Sequence, residues 1–93
     1  MNIDSLWTNI QQGNEASFKI LFSMFYPELN RYALCILKDQ HLAEETVDDV
    51  FIKIWQNRQS ILSLNKSYLY RATHNMCLDV LKKKKPKKLG CSL

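Results

Sequence analysis

Apolar residues recur every three to four positions along most of this chain, the period of an amphipathic helix. Between Leu42 and Arg58, LAEETVDDVFIKIWQNR, the pattern has two unlike faces. Ala43, Val47, Val50, Phe51 and Ile54 share one broad apolar face, with Arg58 at its margin. Glu45, Asp49, Ile52 and Gln56 line the opposite side, with Asp48 beside them. A merely solvated face has no need of Ile52. An acidic face with an aliphatic centre suits a partner-binding helix, although a single exposed aliphatic is common on any surface.

The other elements follow from the same period. Asp4 or Ser5 can cap a first helix running to about Gln12, with Leu6, Trp7 and Ile10 as its apolar stripe. Gly13 accepts the left-handed backbone that ends a helix, and Asn14 is a suitable N-cap for the next. From Glu15 to Lys38 one face carries Phe18, Leu21, Phe22, Phe25, Leu29, Tyr32, Ala33 and Ile36. The register holds across Pro27, so a kink or short break is expected at Tyr26–Pro27 with the halves roughly collinear. These aromatics belong in a core. Asp39 is the natural N-cap of the central helix, and Glu44 and Glu45 sit in its early turns, where the helix dipole favours negative charge. His41 reads as a surface residue. QSILSLN, residues 59–65, breaks the period and reads as a loop with apolar contacts from Ile61, Leu62 and Leu64. Ser63 or Asn65 then starts a last helix from about Lys66 to Lys84. Leu69, Ala72, Thr73, Met76 and Val80 face inward. Ser67, Tyr70, Arg71, His74 and Asn75 face outward, with Asp79 at the edge. Pro86 is expected to stop this helix.

Ninety-three residues with two Gly and two Pro hold one small domain with too few turn formers for an all-β fold. The expected fold is all-α, a compact bundle of about four helices over residues 1–85 with a basic disordered tail or linker at 86–93. The net charge of +4 is uneven. Six of the 13 basic residues lie between Lys82 and Lys88; the remaining seven face nine acids, so residues 1–81 carry about −2. A lysine run of that density attracts polyanions such as nucleic acid or an anionic membrane, or simply keeps a tail solvated.

Cys35, Cys77 and Cys91 are odd in number and show no metal-ligand spacing, which argues against a disulfide framework or a zinc site. Reduced thiols point to a cytoplasmic chain. Met1–Leu6 has no basic residue and no apolar run approaches bilayer-spanning length, so neither a signal peptide nor membrane insertion is expected. There is no Gly-rich phosphate loop and no HExxH, and the acids of Glu44–Asp49 lack the oxygen-rich loop of a calcium site. Cys77 follows His74 by three residues but has no third, orienting group. No catalytic residue, metal ligand or cofactor is assigned, and no enzyme activity is expected. The donors and rings on the outward face of the last helix suit contacts with phosphates and bases.

LAEETVDDVFIKIWQNR followed after a short loop by SYLYRATHNMCLDVLKK, and preceded by FYPELNRYA, resembles region two of bacterial sigma factors. The extracytoplasmic-function class is the nearest likeness, and it spans about Glu15 to Lys85. The resemblance implies a compact helical domain whose central helix docks on the clamp coiled coil of the RNA polymerase largest subunit. Glu45, Asp48, Asp49, Ile52 and Gln56 would face the polymerase, the same face the helical wheel picks out. It also implies that the loop and last helix open promoter DNA at the minus-ten element, hold the non-template strand and capture a flipped base. Ser63, Asn65, Lys66, Tyr68, Tyr70, Arg71, His74 and Asn75 are the expected DNA-binding residues. The Asn75–Asp79 pair matches the family pattern, with Asp79 orienting a donor or supporting the helix. Anti-sigma proteins cover this domain in many family members, which adds an anti-sigma factor to the partners the resemblance allows. A complete factor has a second, minus-thirty-five-reading domain; this chain reads as an isolated domain or truncated product, with KKKKPKK opening the interdomain linker. Two other readings compete: a general basic nucleic-acid-binding module working through the lysine tail, and a helical protein-interaction module.

Overall fold

The computed structural model describes residues 3–92, with side chains described for residues 3–83. It is all-α: α1 (Ile3–Gln11), α2 (Glu15–Leu37), α3 (Gln40–Gln56) and α4 (Lys66–Ser92). The expected stop at Pro86 is not seen, since α4 runs through that residue to Ser92; the expected basic tail at 86–93 falls among residues whose side chains lie outside those described. Among the described residues no helix is long and apolar enough to cross a membrane.

The helix ends follow local chemistry. Gly13, at φ +94°, ends α1 with the left-handed backbone glycine tolerates. Asn14 caps α2 by accepting the Ser17 N–H at 3.0 Å, and Asp39 caps α3 by accepting the Leu42 N–H at 3.0 Å. Lys38 ends α2 in the left-handed region and donates its N–H to the Leu34 carbonyl at 2.8 Å. Asn65, one of the two expected starts, accepts the Tyr68 N–H at 2.8 Å at the head of α4. Neither Asp4 nor Ser5 precedes α1; both lie within its first turn, since the helix begins at Ile3. There the Asp4 carboxylate complements the helix dipole.

α2 packs against α1, α3 and α4, and α3 packs on α4. Leu21, Phe25, Leu29, Ala33 and Leu37 form its buried line and meet Ala43, Val47, Val50, Phe51 and Ile54 of α3 in one core. Phe51 stands edge-on to Phe18 at 6.2 Å and tilted to Phe22 at 4.8 Å. Phe18, Phe22, Tyr32 and Ile36 are half-buried flanks of the α2 face rather than its centre. Pro27 makes no break: α2 is helical throughout, and the only N–H that proline withholds is one of 23 in the helix.

Two apolar assignments change. The buried line of α4 is Leu69, Thr73 and Cys77, with Ala72, Met76 and Val80 half-buried beside it. Thr73 is tolerated there because its hydroxyl donates to the Leu69 carbonyl at 2.8 Å, leaving no buried donor unpaired. Burial also raises the Cys77 thiol pKa, which keeps it protonated and inert. In the loop, Ile61 and Leu64 are buried as expected, but Leu62 is 91% exposed. Neighbouring residues in an extended loop point to opposite sides, so Ile61 and Leu62 cannot both enter the core.

Candidate polymerase and nucleic-acid surfaces

The outer side of α3 presents all five acidic-face residues to solvent. Glu45, Asp48, Asp49 and Gln56 are exposed around Ile52, which is itself 51% exposed. His41 lies 3.0 Å from the Glu45 carboxylate one turn on, an exposed contact worth little by itself. Asp48 borders α2: burial first, and then the Asp48 and Glu44 carboxylates, raise the Tyr26 hydroxyl pKa. At the other margin Asp49, Ile52 and Gln56 reach α4, where a groove of about 270 Å³ also takes in Met76, Asp79 and Lys83.

The residues expected to meet DNA do not form one surface. Tyr68 and Asn75 turn toward α3 and, with Asp79, line a groove of about 340 Å³. Its floor is apolar, from Val50, Ile54, Ile61, Ala72 and Met76, and its rim includes Lys53 and Asn57. Lys66, Tyr70 and His74 instead engage α2. The Tyr70 hydroxyl donates to the Glu28 carboxylate at 2.7 Å, and Lys66 Nζ lies 3.3 Å from the same carboxylate. Tyr32 Oη and His74 Nδ1 are 3.2 Å apart, and the Tyr32 and Tyr70 rings meet edge-on at 5.0 Å. The Tyr70 hydrogen bond is the main cause holding the Glu28 pKa below its ordinary value, and the same bond raises that of Tyr70. Arg71 and Ser63 are exposed, while the Asn65 side chain is occupied in capping α4.

Lys53 was not among the expected site residues, yet it lines both grooves, as do Met76 and Asp79. Helical periodicity could have placed Lys53 on the flank between the acidic face and the core. Nothing local could have shown that α4 packs against that flank.

A single family comparison decides what these surfaces belong to. The profile of sigma-70 region 2 matches residues 21–87, well over half of the chain.

The chain belongs to the sigma-70 region 2 family.

Comparisons with curated proteins and with solved structures gave no match. A sigma-70 region 2 domain is a transcription initiation factor domain, not an enzyme family; it binds RNA polymerase and recognises the promoter minus-ten element. The match takes in α3, the following loop and most of α2 and α4, which carry both grooves and every expected site residue, and leaves α1 outside.

Proposed function

We propose that this sigma region 2 domain docks on the clamp coiled coil of the RNA polymerase largest subunit through the outer face of α3. With the following loop and α4 it then holds the non-template strand of an opened minus-ten element, as a factor of the extracytoplasmic-function class working in the cytoplasm. The observation that carries this reading is the exposed Ile52 at the centre of Glu45, Asp48, Asp49 and Gln56. An apolar anchor within a charged rim is the arrangement of an interface hot spot. The groove at Tyr68 and Asn75 begins at the margin of that face, so the DNA strand lies beside the docked polymerase.

The groove is the place for a flipped base. Its volume is at the small end of ligand sites, roughly 300 Å³ and upward. Its apolar floor accepts a ring, and Asn75 offers both a donor and an acceptor to a base edge. Extruding one base costs a few kcal/mol, and stacking on an aromatic such as Tyr68 returns about 1–3 kcal/mol. Lys66, Tyr70 and His74, on the α2 flank of α4, and the exposed Arg71 lie outside the groove and suit the sugar–phosphate backbone. Residues 1–85 act as the domain and 86–93 as linker. An anti-sigma partner would have to cover one of these two surfaces to silence it.

The test is binding of fluorescent single-stranded minus-ten oligonucleotides to the chain held on core polymerase. Tyr68→Ala and Asn75→Ala should each lower affinity roughly tenfold, while removal of residues 82–93 should only weaken it. If removing 82–93 abolishes binding, and the two substitutions change nothing, the domain is a general basic module with steep salt dependence instead.

A further inference from the structure

The loop that walls the proposed base groove is held by α1, which precedes the residues matched to the family. Ile61 lines the groove with its side chain, and its carbonyl receives two donors from α1. Trp7 Nε1 donates to it at 3.1 Å and Gln11 Nε2 at 2.8 Å. The Gln11 amide also donates to the Arg58 carbonyl at 3.1 Å, and the Gln59 side-chain amide donates back to the Gln11 carbonyl. α1 and the loop thus exchange four hydrogen bonds across about fifty residues of sequence. Arg58 closes the base of the clasp: its guanidinium donates to the Trp55 carbonyl at 2.8 Å and stacks 4.1 Å over the Trp55 ring. Leu62, the residue after Ile61, is 91% exposed.

This clasp does more than bury α1. The apolar stripe Leu6, Trp7 and Ile10 already packs α1 into the core. Three of the four bonds end on loop carbonyls, and two of these hold Ile61, whose side chain lines the groove. Fixed carbonyls at 58 and 61 leave the intervening turn with little freedom, and the held Ile61 carbonyl belongs to the peptide that leads into Leu62, which lowers the entropic loss on binding there.

We infer that Trp7 and Gln11 are positioning residues for promoter recognition: by fixing the Ile61 carbonyl they hold the groove wall in place and present Leu62 as an apolar contact for the single strand. The inference rests on the base-capture reading above. It makes α1 part of the recognition apparatus through the loop it holds.

The experiment enriches sequences from a random pool of single-stranded DNA with the full chain bound to bacterial core polymerase. Wild type, Gln11→Met, Trp7→Phe and Leu62→Ala are compared. Gln11→Met keeps the length of the side chain and loses its donors; Trp7→Phe keeps a ring and loses the indole N–H. Each should flatten the preference at the captured base about fivefold or more, while affinity for core polymerase stays within twofold. Leu62→Ala should weaken retention of single-stranded DNA at unchanged thermal stability. In the Leu62→Ala background, Gln11→Met should lose most of its further effect on that retention, because the two act through one loop. If both α1 variants lower the melting temperature and enrich the wild-type motif undiminished, the clasp is merely structural and the inference is overturned. If wild type enriches no motif, the base-capture reading itself fails and the inference falls with it.

Discussion

The Glu28 carboxylate accepts the Tyr70 hydroxyl and lies beside the Lys66 ammonium, so it stands behind two of the residues proposed to follow the DNA backbone. These contacts hold its pKa below the ordinary 4.5, with the Tyr70 bond the largest cause. A carboxylate whose pKa is lower in the folded state adds stability that is full above the unfolded value and lost as pH falls through the folded one. The loss therefore belongs below about pH 4.5. Glu28→Gln should make the fall in melting temperature between roughly pH 5 and pH 3 shallower than in wild type. Thermal melts across that range check it; parallel curves would show that the Glu28 contacts contribute nothing to folding.

Among elements, α3 sorts its residues most sharply, and adjacent positions show it. Phe51 is 1% exposed between Phe18 and Phe22, whereas Ile52 is 51% exposed on the opposite side. Phe51→Ala should cost about 3–5 kcal/mol, a large part of the stability of so small a domain. Ile52→Ala should cost no more than about 0.5 kcal/mol. Urea denaturation of the two variants measures both; comparable losses would mean that Ile52 is a core residue and α3 has no free face. The sequence made these two faces legible because each depends only on the 3.6-residue period within one helix. The caps Asn14, Asp39 and Asn65 were legible for the same reason, each bonding three residues ahead. The outward side of α4 was not. Tyr70 and His74 turn to Glu28 and Tyr32, 42 residues away, while Tyr68 and Asn75 turn to α3. Which neighbour covers which flank is a property of the bundle, and no period within α4 encodes it. The clasp between Gln11 and Ile61 is hidden further still, since a glutamine on a short polar-faced helix carries no sign of a partner 50 residues on.

Taken as a whole, the molecule sets two surfaces along one seam. The acidic face of α3 reaches the α3–α4 groove through Asp49, Ile52 and Gln56. The groove proposed for the base adjoins it, sharing Lys53, Met76 and Asp79. α2 supports both helices from behind, and α1 braces the loop at the far end of the seam. An arrangement of this kind lets polymerase docking and strand capture occur side by side without either protein surface covering the other. In the proposed docking the body, residues 1–81, brings a charge of about −2, while the stretch 82–88 carries six lysines that suit a polyanion. The central claim is that the outer face of α3 is the docking surface. The most direct test is a binding titration of the chain against bacterial core RNA polymerase, wild type beside an Asp49→Lys, Ile52→Asp double variant. Both positions are exposed, so the variant should fold as wild type does, which circular dichroism checks. The account predicts a loss of affinity of at least about tenfold. Equal affinity for the two proteins would contradict it.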